Sequence, residues 1–144
     1  MNPLAEESYR ILGMALFRMG KVEEAERVLR ESAALPSAGP YATATLGYVL
    51  AQRGKLDEAR AICADLEAAA RVGYVSPVAF GTLSLGLGDL NAALDWIQKS
   101  IDERRGWFVY SRVNPMFDPL RDHPRFVAMQ EELDRRSGIL ASVG

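Results

Sequence analysis

One cysteine and one histidine in 144 residues exclude most metal and redox chemistry at the outset. A structural zinc site needs four protein ligands and a catalytic one needs three. Cys63 and His123 alone offer no such set, so no metal and no other cofactor is expected. Neither sign of charge dominates either. Seventeen Lys+Arg against nineteen Asp+Glu leave a formal net charge of −2, whereas a dedicated nucleic-acid binder is usually clearly basic. No run approaches the ~20 apolar residues that span a bilayer, and the N-terminus has no secretory hydrophobic segment. Nucleic acid, membrane and export are therefore not expected. What is present, 49% apolar and 25% charged residues, suits a globular chain that folds without a disulfide or metal staple.

The chain repeats. Gly13, Gly47 and Gly81 are spaced by 34 residues, as are Gly20, Gly54 and Gly88, and Ala25, Ala59 and Ala93. Three position classes on one period predict a stack of identical units. Each unit reads as helix, tight turn, helix. Gly20, Gly54 and Gly88 stand where the first helix must stop, and glycine accepts the left-handed conformation that closes a helix end. Gly13, Gly47 and Gly81 fall inside the first helix, where glycine costs about 1 kcal/mol against alanine. That cost predicts a close helix crossing, with Ala25, Ala59 and Ala93 as the small residues opposite. The spacing predicts helices at about 4–18, 22–34, 40–52, 56–71, 76–86 and 90–104. Ser76-Pro77 supplies a capping hydroxyl followed by proline at the first helical position.

The Leu/Phe-Gly pairs, the Gly-x-hydrophobic-x-x-Ala turns and the period together resemble the tetratricopeptide repeat (TPR) family over residues 5–104. The resemblance departs early in each repeat, where Tyr9, Thr43 and Pro77 replace the usual bulky residue. Three residues after the inner glycine, Leu16, Leu50 and Ser84 replace the usual aromatic. The resemblance implies an all-α fold: a right-handed TPR solenoid of three helix-turn-helix repeats, about 5–38, 39–73 and 74–106. The segment 107–144 then forms a C-terminal helical cap within one domain, 1–144.

The tail from Trp107 is not a fourth repeat. Asn114-Pro115, Asp118-Pro119 and Asp122-His123-Pro124 each read as a cap and a helix start, leading to a longer helix at about 124–136. Phe126, Met129 and Leu133 share one face of that helix, as a cap over the last repeat requires. The string Trp107…Tyr110…Asn114-Pro115-x-Phe117-Asp118-Pro119-Leu120-Arg121-x-x-Pro124-Arg125-Phe126 is similar to the end of certain bacterial regulators. In these, TPRs follow an adenylate cyclase, kinase or winged-helix domain. With three lysines (Lys21, Lys55, Lys99) among the seventeen Lys+Arg, the likeness implies a bacterial, cytoplasmic protein.

No catalytic constellation emerges, and no enzyme is expected. Gly81-Thr82-Leu83-Ser84-Leu85-Gly86 approaches a nucleophile elbow, but Thr82 stands in place of the first glycine and the segment is helical. Cys63, between Ile62 and Leu66, reads as a small buried apolar residue. His123 reads as a helix-entrance residue before Pro124. Acidic pairs such as Glu23-Glu24 read as solvated faces complementing helix dipoles.

The inner surface of the stack is the best candidate site. In TPR stacks the first helices line the concave groove, which places Arg10, Met14 and Phe17, then Tyr41, Ala44 and Tyr48, then Val78 and Thr82, on it. This apolar lining with aromatic anchors suits a peptide or amphipathic helix from a protein partner. Arg10 is the lone base at the positions of a carboxylate clamp, so no capture of a C-terminal carboxylate is expected. The alternatives are a groove filled by the chain's own tail, through Trp107–Tyr110 or Phe126–Leu133, and self-association into a homo-oligomer.

Overall fold

Three left-handed glycines turn the chain back on itself. The computed structural model describes residues 3–36, 38–103 and 114–143, with side chains over 8–36, 38–103 and 114–136. Its first six helices are α1 (Pro3–Arg18), α2 (Val22–Ala34), α3 (Pro40–Gln52), α4 (Leu56–Val72), α5 (Pro77–Leu87) and α6 (Leu90–Asp102). Gly20, Gly54 and Gly88 have φ of 82°, 82° and 76°. At each turn the glycine N–H and the next N–H reach back to the helix end. Gly20 donates to the Phe17 carbonyl at 3.0 Å and Lys21 to the Leu16 carbonyl at 2.9 Å. Gly54 and Lys55 bond to Ala51 and Leu50, and Gly88 and Asp89 to Leu85 and Ser84. This paired closure satisfies carbonyls that a helix end leaves open. The six predicted repeat helices are found within a residue or two of their bounds, whereas the tail helix expected at about 124–136 runs on to Val143. Ser76 Oγ accepts the Val78 N–H at 3.2 Å, as the cap signal predicts.

The hairpins stack into an all-α helical-repeat solenoid, with α3 packed on α1, α2, α4 and α5. Ala25, Ala59 and Ala93 are fully buried. The residues facing the inner glycines are not these alanines. A Cβ on Gly13 would sit 2.5 Å from the Leu29 side chain, and one on Gly47 2.6 Å from Leu83. The tightest approach is at Gly86, where a Cβ would lie 2.6 Å from Tyr48 Cα. Backbone cannot yield as a side chain can, so α5 and α3 cross at a distance only glycine permits. Gln52 Nε2 donates to the Gly86 carbonyl at 3.0 Å across the same crossing.

The tail covers the end of the stack. A 3-10 helix, Pro115–Leu120, precedes α7, Pro124–Val143. Phe117, Leu120, Phe126 and Met129 join Leu94, Ile97 and Ile101 in one core cluster. Two of the three expected tail starts are real. Asn114 Oδ1 accepts the Met116 N–H at 3.0 Å, and His123 Nδ1 accepts the Arg125 N–H at 3.2 Å. Asp118-Pro119 instead lies inside the 3-10 helix. The tight i→i+3 geometry there lets proline continue the turn without the backbone donor it lacks.

An ion network joins the first repeat to the second. Glu26 is only 8% exposed. Its carboxylate accepts from Arg53 at 2.7 Å, Lys55 at 2.9 Å and Arg30 at 3.0 Å, and Arg30 also reaches Glu58 on α4 at 3.1 Å. Burial pushes the Glu26 carboxyl up. Hydrogen bonds and attraction from Lys55 and Arg30 outweigh it and hold the group at about 2, below its ordinary 4.5. A depressed carboxyl contributes stability above its unfolded pKa and loses it as pH falls through the folded one. Glu26→Gln is therefore expected to destabilise the fold by about 2–3 kcal/mol at pH 7. The deficit should shrink between pH 4.5 and about 2, the interval the shift defines. Urea melts of both proteins across that range check it; a pH-independent deficit would refute the charge account.

Candidate functional site: the inner face and its cavity

The structure gathers three of the predicted groove residues and hides two others. Met14 and Phe17 on α1 meet Tyr48 on α3, with the Phe17 ring edge-on to Tyr48 at 5.8 Å. Together with Arg18, Pro115 and Met116 they line a cavity of about 330 Å³. Arg10 and Tyr41 form a separate pair, the guanidinium lying 4.5 Å from the ring centroid. Val78 is buried beside its Ser76 cap. Ala44 and Thr82 are both 0% exposed, so neither presents a surface to a ligand. Ala44 is covered, in a second core cluster, by Leu66 of α4 and by Ala79, Phe80 and Leu83 of α5, the first helix of the next repeat.

The tail reaches the inner face by the Asn114–Met116 segment, not by either of the two segments expected to fill the groove. Arg18 donates to Asn114 Oδ1 at 2.8 Å, which seats Pro115 and Met116 against Met14, Phe17 and Tyr48. Phe126 packs instead at the end of the stack. Trp107–Tyr110 lie outside the described residues. Arg18 was legible in principle, since it stands one helical turn beyond Met14 on the same face. The Asn114–Met116 contact had no local signal, because it depends on how the tail returns across the stack.

The chemistry of the cavity is that of packing. Burial raises the Tyr48 phenol above its ordinary value, with Arg18 opposing and Asp118 adding to the rise. The ring is thus a neutral anchor at physiological pH. Cys63 is half-buried rather than fully enclosed. Burial, then its neighbour Glu67, pushes its thiol up, opposite to the direction a reactive cysteine needs. Among the described residues no group of three or more His, Cys, Asp or Glu is placed to hold a metal ion, and no helix is long and apolar enough to cross a membrane.

Residues 7–35 match one family model described as a tetratricopeptide repeat, and residues 40–65 match a second with the same description. These two segments are similar to tetratricopeptide repeats. The matches coincide with the α1–α2 and α3–α4 hairpins, and α5–α6 repeats the TPR turn at Gly88 with the same left-handed glycine. No curated protein and no solved structure matches the chain. TPR repeats generally mediate protein–protein interaction, and that is the coarse role these matches carry.

Thr82 separates core from contact. Its hydroxyl is buried without a hydrogen-bond partner, and an unmade hydrogen bond in the interior costs more than an apolar group of the same shape. Thr82→Val is expected to stabilise the protein by about 1 kcal/mol in urea melts. A loss of stability would show that the hydroxyl is satisfied and in use.

Proposed function

We propose that the chain is a non-catalytic interaction scaffold, one unit of three repeats and a cap, that takes an apolar side chain of a partner peptide or helix into its inner face. The observation that carries this reading is the cavity of about 330 Å³ between Met14, Phe17, Tyr48 and Met116. Its volume suits one large apolar side chain, and burying such a group is worth about 1.5–3 kcal/mol. Arg18, exposed at the rim, adds one charged group that can orient the partner. The tail's Pro115–Met116 form a wall of the cavity, so on this reading the cap shapes the groove and leaves part of it open. The setting is bacterial cytoplasm, as the likeness of the tail to bacterial regulators implies.

Selection from a library of short peptides tests it. Wild type is expected to enrich sequences with one large apolar anchor, and their addition should shift the ε-methyl signals of Met14 and Met116. Phe17→Ser, first checked by thermal melting, should weaken binding by about tenfold or more. Peptides that bind without moving either methyl signal would sink the inner-face reading.

A second reading, self-association, is favoured by the uncovered face of α1. Leu12 is 47% exposed, whereas its counterparts one and two periods on, Leu46 and Phe80, are each 7% exposed. Ile11 and Ala15 are exposed in the same way, and Thr45, Val49, Ala79 and Leu83 at the matching positions are buried. At the matching positions of the second and third repeats this face is the one that stacks on the preceding repeat. Sedimentation should then show a concentration-dependent dimer that Leu12→Glu abolishes. A monomer at every concentration would refute this second reading and leave the first intact.

A further inference from the structure

A larger cavity, about 510 Å³, opens on the side of the second helices, between α4, the link that follows it and the α5–α6 hairpin. Its volume lies within the range of small-ligand and side-chain sites. The floor is aromatic: Phe80 and Trp96 stack with centroids 4.6 Å apart and planes inclined by 17°. Glu67 and Asp89 stand at the lining. Beside it, the Tyr74 hydroxyl donates to Glu103 at 2.6 Å. Lys99, the one base among the described lining residues, holds its ammonium 5.4 Å from the Trp96 ring centroid.

The 34-residue register explains why space is left here. Between the first two repeats, Arg30 on α2 and Glu58 on α4 bridge the same interval with long, paired side chains. One period later these positions are Ala64 and Ala92, and Ala92 lines the cavity. The paired side chains that bridge the first interval have no counterpart in the second. What remains is a flat π surface with carboxylates at its edge, and a cation already rests on that surface. Indole faces attract cations, and more strongly once the pair is desolvated. A planar guanidinium is more weakly hydrated than an ammonium, stacks on the ring and meets a carboxylate through two parallel donors.

We propose that this cavity receives an arginine side chain of a partner peptide, its guanidinium lying on Trp96 in place of Lys99 and pairing with Glu67 and Asp89. The site is separate from the inner-face cavity, and neither requires the other. Lys99 is exposed and flexible, so it acts as an internal competitor that leaves when a better cation arrives.

The test titrates the full chain with the peptide acetyl-Ala-Arg-Leu-amide while following the Trp96 indole N–H signal, assigned by comparison with Trp96→Phe. Two control peptides replace the arginine by citrulline, which keeps the shape without the charge, and by glutamate. Saturable binding is expected, about tenfold tighter for the arginine peptide than for the citrulline one. Asp89 Oδ1 caps α6 by accepting the Ala92 N–H at 3.2 Å, a role asparagine retains, and the double variant Glu67→Gln/Asp89→Asn should lose that tenfold. Lys99→Ala should bind the arginine peptide several-fold more tightly, an effect that a purely structural lysine would not produce. Equal binding of the arginine and citrulline peptides, preference for glutamate, weaker binding by Lys99→Ala, or no saturable shift at Trp96 would each overturn the proposal. The Met14 and Met116 signals report on the other cavity, so failure at one site is distinguishable from failure at the other.

Discussion

A left-handed glycine within two residues of the end of each first helix, at 20, 54 and 88, fixes how every hairpin folds back. The paired hydrogen bonds that follow it leave the second helix little choice of direction. Because the turn recurs at a constant interval, each hairpin presents the same faces to the next one. The buried alanines, the Leu29 and Leu83 side chains over the inner glycines, and the contact of Gly86 with the Tyr48 backbone all follow from that constraint. A residue with a Cβ at any turn glycine has open space around it yet pays for the backbone conformation. The turns are thus conformational constraints, whereas Gly86 is a packing constraint.

The two ends of the stack answer the same physical problem differently. A repeat cannot bury both of its faces alone. At the C-terminal end Phe117, Leu120, Phe126 and Met129 cover α6 and make a continuous core with it, and Arg125 pairs with Asp95 at 2.8 Å at the edge. At the N-terminal end Ile11, Leu12 and Met19 stay exposed. A head-to-tail chain of copies would need an open C-terminal face. The cap covers that face, so the self-association reading pairs two α1 faces rather than stacking copies head to tail.

Most of the architecture was legible because it rests on local rules. Period, turn glycines and the Ser76 cap each specify backbone within a few residues, and the helices follow. The site was legible only in part. Helical spacing correctly put Met14, Phe17 and Tyr48 on one surface, since that needs one helix and its neighbour. It put Ala44 and Thr82 there as well, since spacing gives direction and not the distance to the next repeat. Pro115 and Met116 could not be read at all, because their place depends on the path of the tail across the stack. The outer cavity escaped for a related reason: a site made by missing side chains leaves no motif.

The register itself offers a way to find such sites. In a repeat stack the common positions build the scaffold, and each departure changes one interval while the backbone stays put. Glu26, Arg53 and Lys55 tie the first interval together with charge. Their counterparts Arg60, Leu87 and Asp89 alter the second, and Ala64 and Ala92 stand where Arg30 and Glu58 pair. Leu12 matches Leu46 and Phe80 in chemistry but not in burial, which marks a surface meant for a neighbour. Trp96 occupies the place of Val28 and Ile62, so an indole stands where the earlier second helices carry aliphatic packing residues. A large aromatic beside a gap costs the scaffold apolar exposure that Val or Ile would have avoided, and a partner that covers the ring would recover it.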